Sequence, residues 1–145
     1  MIYIDMDGVL ADFEGYVESK YNNLDSESFI KVTVYYHKEC FLKSDIINKN
    51  LNLLKGDFRL LTSLPSISSM LKYCSVSDID NIIRTLKENK LKFAEGLGVS
   101  RDNVIILNSS EEKSLYAKDN VLYDDYARNI NDWVLAGGTG YLVSK

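Results

Sequence analysis

The feature that most constrains this chain is the alternation of short apolar runs with longer stretches of helical pattern. Four runs, at residues 2–4, 58–61, 104–107 and 121–123, are short and rich in β-branched, leucine and aromatic residues, as is typical of buried strands. A last short run follows at 141–143. Strands that alternate with helices predict an α/β fold with a doubly wound parallel sheet.

The stretches between these runs predict the helices. A long helix is expected from about residue 77 to about 95, because isoleucine, leucine and phenylalanine recur there at helical spacing. Between the first two runs, the pattern predicts a helix at about 12–21 and an amphipathic helix from about His37 to Leu54. The β-prone residues at 32–36 lie between helical patterns, so their state stays open.

Polar side chains follow each of the first four runs. They are Asp5 and Asp7 after the first, Thr62 and Ser63 after the second, Lys113 after the third and its loop, and Asp124 and Asp125 after the fourth. Any one of these groups is ordinary for a surface loop. The carboxyl ends of parallel strands meet at one edge of a sheet, so together the groups predict a site at that edge.

The first of these groups lies in the stretch MIYIDMDGVLADF, from Met1 to Phe13. Two carboxylates two residues apart at the exposed end of a strand repel each other unless a cation neutralises them. Mg²⁺ suits this role because it prefers oxygen ligands and keeps water and phosphate oxygens in its shell. Gly8 allows a sharp turn and a close approach to a ligand. Taken alone, D-x-D-G is equally compatible with a plain acidic turn.

The longer string DMDGVLADF resembles the opening motif of the haloacid dehalogenase superfamily of phosphatases. Extended to DMDGVLADFEG, it is most similar to the 5′(3′)-deoxyribonucleotidase branch. The four polar groups also stand in the order of the superfamily's four motifs. This resemblance implies a single Rossmann-like domain over residues 1–145, with a small helical cap inserted after the first strand at about 14–57.

The resemblance and the needs of phosphoryl transfer suggest a role for each group. Asp5 would be the nucleophile that forms an aspartyl-phosphate, and Asp7 would protonate the leaving oxygen and then activate water. Asp7 would also meet the metal through its backbone carbonyl. The remaining predicted roles are phosphate binding by Thr62, Ser63 and Lys113, nucleobase stacking by Phe13, and a Mg²⁺ site formed by Asp5, Asp7, Asp124 and Asp125.

Three of these assignments have alternatives. Lys118 is a rival to Lys113, which could instead pair with a neighbouring glutamate. The family branch tends to carry an arginine shortly before this lysine, where the present chain has Glu111 and Glu112. Phe13 could simply pack the cap against the core. Which of the two adjacent aspartates at 124–125 binds the metal directly also stays open.

Composition limits the partners that we expect. The 145-residue chain has a net charge of −4 and no two adjacent lysine or arginine residues, so a nucleic-acid polymer is not expected. No apolar run approaches the roughly 20 residues that a membrane-spanning helix needs. No signal-peptide pattern is visible, which favours a cytoplasmic location. Cys40 and Cys74 form no metal or redox motif and are expected to be free thiols.

The sequence therefore predicts a Mg²⁺-dependent hydrolase of small phosphomonoesters, with a (deoxy)nucleoside monophosphate as the favoured substrate. A sugar phosphate, a nucleic-acid 3′-phosphate end and a non-catalytic nucleotide-binding module stay open as alternatives. A signalling receiver domain is disfavoured, because its phosphorylated aspartate comes from a middle strand and no long insertion follows its first strand. Oligomeric state is not predicted.

Overall fold

The computed structural model describes residues 1–145 and is built around a sheet of five parallel strands. The strands of the protein are β1 (Ile2–Ile4), β2 (Ala11–Asp12), β3 (Asp45–Ile46), β4 (Phe58–Ser63), β5 (Val104–Leu107), β6 (Val121–Asp124) and β7 (Thr139–Leu142). The α-helices are α1 (Phe13–Glu18), α2 (Ser26–Tyr35), α3 (Ile67–Met70), α4 (Val76–Gly96) and α5 (Ala127–Leu135). Three 3₁₀ helices span Asn48–Leu53, Arg101–Asn103 and Ser110–Tyr116.

The order of strands in the sheet is β5-β4-β1-β6-β7. The chain starts at the centre, runs outward through β4 and β5, and then returns to β6 on the other side of β1. Ile4 is thus paired with Leu60 on one side and with Tyr123 on the other. In open α/β sheets, ligands bind outside the carboxyl ends of the strands where the order reverses. Here that point lies between β1 and β6.

Helices cover both faces of the sheet. Successive residues of a strand point to opposite faces, so neighbouring residues of one strand pack against different helices. On one face, Ile4 and Leu60 pack with Phe93 of α4. On the other face, Tyr3 packs with Trp133 of α5, and their ring centroids are 5.8 Å apart. The predicted α/β fold with a parallel sheet is therefore confirmed, and Trp133 is fully buried.

Helix α4 is the longest of the protein and runs for 21 residues. Its buried apolar residues, which include Ile79, Ile82 and Leu86, recur at helical spacing and form the face toward the core. The chain leaves the helix through Gly98, whose φ of +84° is easily adopted only by glycine. The predicted long helix is confirmed, although it begins at Val76 rather than at residue 77 or 78.

The segment between β1 and β4 holds two helices and a short hairpin. Strand β2 pairs with β3 in antiparallel fashion, with Ala11 opposite Ile46. Helix α2 begins after Asp25, whose carboxylate accepts a hydrogen bond from the backbone of Ser28 in a capping box. The same helix continues through the β-prone residues 32–36 as far as Tyr35, so the packing of this segment overrides the local strand preference.

The predicted helix from His37 to Leu54 is wrong. Turns occupy most of residues 36–43, and strand β3 and the 3₁₀ helix Asn48–Leu53 follow. The apolar residues do not share one face: Phe41 is buried, whereas Ile46 is 42% exposed. Phe41 also adopts a φ of +68°, which a continuous α-helix cannot contain.

None of the protein's helices combines the length and the apolar character that crossing a lipid bilayer requires. Cys40 and Cys74 are free thiols, as expected, and Cys40 is buried.

Candidate active site

Three carboxylates meet at the edge of the sheet where the strand order reverses. Asp5 directly follows β1, Asp124 is the last residue of β6, and Asp125 comes next. One oxygen from each lies within 4.8 Å of the others. The sequence predicted that side chains after β1 and β6 would share an edge. The structure brings them together because the two strands are direct neighbours.

Lys113 joins two of these carboxylates. Its Nζ donates to Oδ1 of Asp5 at 2.9 Å and to Oδ2 of Asp124 at 2.8 Å, and all three side chains are nearly or fully buried. The lysine reaches the site from the 3₁₀ helix Ser110–Tyr116. It does not pair with a neighbouring glutamate, and its sequence rival Lys118 is exposed.

The charges of this cluster do not balance. Three carboxylates face one ammonium group, which leaves two negative charges uncompensated if all groups are ionised. Burial raises the pKa of Asp5 well above its usual range, although Lys113 acts in the opposite direction. Burial and the neighbouring Asp124 raise the pKa of Asp125 to about 6. Burial alone would lower the pKa of Lys113, but the two carboxylates outweigh it and raise that pKa.

The two adjacent aspartates have different surroundings. Asp124 is fully buried, and its oxygens accept from the backbone N–H of Tyr126 at 2.9 Å, from Lys113, and from Nδ2 of Asn129 at 3.1 Å. Asp125 is exposed at the edge of a cleft and lies directly over Gly8. A Cβ atom at position 8 would overlap the Asp125 carboxylate, so glycine is required there. Asp125 is therefore the aspartate with oxygens free for a ligand.

The Asp7 side chain pairs with Lys90 and is not part of the group of three carboxylates. Its Oδ2 accepts from Nζ of Lys90 at 2.6 Å, whereas its Oδ1 is buried without a hydrogen-bond partner. The same Lys90 donates to Oγ1 of Thr62 at 2.6 Å. The backbone hydrogen bonds of the turn end on the carbonyls of Met6 and Ala11 and leave the Asp7 carbonyl free. Asp7 thus offers a carbonyl and one carboxylate oxygen.

Sequence reasoning missed Lys90, although a signal was present. Leu86, Lys90 and Phe93 are spaced by four and three residues, so a lysine occupies a core position on the apolar face of α4. The structure buries Lys90 completely. Thr62 shares the face of β4 with Leu60, two residues before it, which explains why the hydroxyl lies beneath α4.

Two clefts share Asp7, Phe13 and Phe29 in their linings. The first, of about 530 Å³, is bordered by Gly8, Asp125 and the C-terminal residues 142–145. The second, of about 420 Å³, is lined by Phe29, Thr33 and Phe41 from the inserted segment. Its opposite wall is formed by sheet-edge residues, which are Ser63, Leu64, Pro65, Ser66, Ser109, Ser110 and Glu111.

Phe13 both packs and lines these clefts. Its ring centroid lies 4.9 Å from that of Phe41 and 5.9 Å from that of Phe29, so the inserted segment holds it in place. The ring is partly exposed and borders both clefts. The packing alternative and the stacking prediction are therefore compatible with one position of the ring.

Comparison with known proteins does not assign the chain to a family, because neither a protein-family model nor a curated protein matches it. Asp7 and Asp125 line these clefts, whereas Asp5, Thr62 and Lys113 are buried and line neither.

Proposed function

We propose that the protein is a Mg²⁺-dependent phosphomonoesterase of the haloacid dehalogenase type that acts on a small ester, in the first place a (deoxy)nucleoside monophosphate. The observation that carries the proposal is the convergence of Asp5, Lys113 and Asp125 at the reversal point of the sheet. Ligands of open α/β sheets bind at this point. The resemblance of DMDGVLADF to the superfamily motif supports the same reaction.

The residues present fit a divalent cation. The donors are hard oxygen atoms, as Mg²⁺ prefers, and three carboxylates face a single ammonium group. Asp5, the carbonyl of Asp7 and Asp125 would hold the ion, because the oxygens of Asp124 are already engaged by three donors. When bound, Mg²⁺ would offset the repulsion between a phosphate dianion and the attacking carboxylate.

In the first half of the reaction, Asp5 attacks phosphorus and the bond from phosphorus to the ester oxygen breaks. Asp7 donates a proton to that oxygen, so the product leaves as a neutral alcohol. Lys113 keeps the Asp5 carboxylate in a fixed orientation and balances the charge that gathers there. Thr62 and Ser63, at the end of β4, supply hydrogen-bond donors to the phosphate oxygens.

In the second half, water attacks the aspartyl-phosphate. Asp7, now ionised, takes the proton from this water, and the bond from phosphorus to the Asp5 oxygen breaks. Inorganic phosphate leaves, and both aspartates return to their starting states. Asp7 thus serves first as acid and then as base. It must therefore stay within reach of the ester oxygen and of the attacking water.

The inserted segment acts as the cap in this proposal. Phe29, Thr33 and Phe41 form one wall of the second cleft, opposite Ser63 and Ser66 of the sheet edge. A cleft of this size with aromatic and hydroxyl lining suits a nucleoside, whose base offers a flat face and whose sugar offers hydroxyls. Glu111 also lines this cleft, where the family branch tends to carry an arginine nearby.

The proposal is tested by measuring phosphate release from a panel of nucleoside monophosphates, sugar phosphates and p-nitrophenyl phosphate, with Mg²⁺ and with a chelator. We expect release that depends on Mg²⁺ and is fastest with a nucleoside monophosphate. Faster release from sugar phosphates would keep the chemistry and change the substrate. Nucleotide binding without any hydrolysis would instead indicate a binding module and contradict the proposal.

Phe13 should distinguish nucleotides from simple esters. Replacing it (Phe13→Ala) removes the face on which a base would stack, and we expect KM for a nucleoside monophosphate to rise about tenfold, since stacking on an aromatic side chain contributes about 1–3 kcal/mol per base. KM for p-nitrophenyl phosphate should change less. Steady-state kinetics on both substrates provide the measurement.

Tyr35→Ala is the matched control, because Tyr35 is an exposed aromatic of the same inserted segment that lines neither cleft. Its kinetics should stay at wild-type values. An equal rise of KM for both substrates in Phe13→Ala would indicate that the ring only supports the cleft.

The alternative of a receiver domain does not fit the sheet. Counting only the strands of the parallel sheet in chain order, the observed order is 3-2-1-4-5. Receiver domains have the order 2-1-3-4-5. The order found here is that of the dinucleotide-binding type of α/β fold, with the acidic pair of β6 next to the central first strand.

A further inference from the structure

Lys90 is a buried charge that the proposed reaction does not use. It is fully buried on α4, and no other residue of that helix contributes to the site. Removing an ammonium group from water costs several kcal/mol unless partners compensate for it. A methionine would fill the same space between apolar neighbours at lower cost. The partners of Lys90 therefore indicate what it does.

The ammonium group of Lys90 contacts three side chains. Its Nζ lies 2.6 Å from Oδ2 of Asp7, 2.6 Å from Oγ1 of Thr62 and 4.0 Å from the ring centroid of Phe41. The ring presents its electron-rich face to the cation, which favours this position of the charge. Phe41 is held there by a turn with a φ of +68°, and Nδ2 of Asn89 donates to two carbonyls of that turn, those of His37 and Cys40.

These contacts fix the direction of the Thr62 hydroxyl. A lysine ammonium group can only donate, so Oγ1 of Thr62 must accept this hydrogen bond. The proton of the hydroxyl then points elsewhere, and it has no protein acceptor among the hydrogen bonds of Thr62.

The same contact selects one oxygen of Asp7. Oδ2 is occupied by Lys90, while Oδ1 is buried and has no hydrogen-bond partner. A buried carboxylate oxygen without a partner is unfavourable unless a ligand supplies one. The rotation of the carboxylate is thus set by Lys90, and Oδ1 is the oxygen left for a proton transfer.

We infer that Lys90 is a positioning residue, which holds one oxygen of the Asp7 carboxylate and so leaves the other for proton transfer to the leaving group. The inference rests on the proposed phosphatase function and goes beyond it, since Lys90 belongs to none of the four motif groups. Lys90 is fully buried and lines neither cleft, so it acts through the Asp7 carboxylate that it holds.

The experiment compares two substrates with different leaving groups, using wild type and Lys90→Met. A nucleoside monophosphate releases a poor leaving group that needs a proton from Asp7, whereas p-nitrophenyl phosphate releases a phenolate that needs none. We measure kcat/KM, which covers events up to the first irreversible step, so the later use of Asp7 as a base does not enter. We expect Lys90→Met to lower kcat/KM for the nucleotide by about 100-fold, which is the size of a general-acid contribution. For p-nitrophenyl phosphate, kcat/KM should fall by less than about tenfold.

Three comparisons make the outcome decisive. Lys92→Met, an exposed lysine on the same helix, should keep both values at wild-type level. Lys90→Gln retains a hydrogen-bond donor at this position. Its loss of kcat/KM should again be larger for the nucleotide than for the phenyl ester, but both losses should be smaller than in Lys90→Met. This variant keeps the test valid if Lys90→Met folds poorly. Urea unfolding of each variant provides the check on folding.

Equal losses on both esters in the folded variants, or no loss, would overturn the inference while leaving the phosphatase proposal intact. A wild-type protein that hydrolyses neither ester with Mg²⁺ would overturn both. The two failures are thus distinguishable in one set of assays.

Discussion

Replacing Asp5 with asparagine (Asp5→Asn) should lower phosphate release from every substrate by at least about 10³-fold, because the loss of a covalent nucleophile is among the largest single-residue effects in enzymes. The amide has nearly the shape of the carboxylate but cannot attack phosphorus. The measurement is kcat for the best substrate of the panel. Acid-quenched protein should carry labelled phosphate in wild type and none in the variant.

The fold should survive this change. Burial raises the pKa of Asp5, which means that the ionised form is unfavourable in the folded protein. A neutral amide avoids that cost, and Lys113 keeps its contact with Asp124 at 2.8 Å. We therefore expect the urea midpoint to stay unchanged or to rise slightly.

Asp80→Asn is the control for the same substitution, because Asp80 is exposed on α4 and lines neither cleft beside Phe13. It should retain full activity. Turnover of Asp5→Asn near the wild-type rate would remove Asp5 as nucleophile, and with it the proposed mechanism.

Replacing Lys113 with methionine (Lys113→Met) should lower the free energy of unfolding more than any other substitution proposed here. We expect a loss of about 3 kcal/mol in metal-free protein near pH 8. Lys113 is the partner of two buried carboxylates, and removing one member of a buried ion pair leaves the other charge uncompensated. Activity should fall as well, since the nucleophile loses its fixed orientation. Urea unfolding in the presence of a chelator provides the measurement.

The loss should depend on pH in a definite direction. The pKa of Asp5 in the folded protein is already above its usual range, and removing Lys113 raises it further because Lys113 acts to lower it. A carboxyl whose pKa is raised by folding stabilises the fold while protonated, and this stability is lost as pH rises through the folded value. Asp125, with a pKa of about 6, follows the same rule. The penalty of Lys113→Met should thus be small near pH 5 and largest near pH 8.

Lys118→Met serves as the control. Lys118 is exposed five residues further on, and surface substitutions of this kind usually change stability by less than about 0.5 kcal/mol. Equal losses for the two variants, or a penalty that grows toward acidic pH, would contradict the role assigned to the buried lysine.

Much of the sheet could be predicted from the sequence because buried parallel strands are short, apolar and bounded by polar residues. Strand β5 spans Val104–Leu107 as expected, and β6 extends only one residue beyond its predicted end. The strand order could not be predicted, since pairing between distant segments leaves little trace in a single sequence. That order decides which strand ends are neighbours.

The segment between β1 and β4 was harder to predict. The spacing of apolar residues after His37 suggested a helix, but Ile46 pairs with Ala11 in the β2–β3 hairpin and Phe41 adopts a left-handed backbone conformation. Both features depend on contacts with residues far away along the chain. Local periodicity carries no information about such contacts.

For the candidate site, the sequence pointed to residues at strand ends but not to the contacts among them. The structure places Asp5 against Lys113, as a shared edge would suggest. It pairs the Asp7 carboxylate with Lys90, a contact that the spacing of the two aspartates did not indicate. Lys90 escaped notice because a lysine within an apolar helical pattern looks like an interruption until its burial is known.

The position of Lys90 on α4 has a practical consequence for mutational surveys. Leu86 and Phe93 on the same face are buried in the core, so substitutions at all three sites should reduce the signal of an assay that reads activity alone. Scoring cellular abundance alongside activity would separate them. Replacing Lys90 with an uncharged residue of similar size should lower activity and leave abundance high. Truncating Leu86 or Phe93 should lower both.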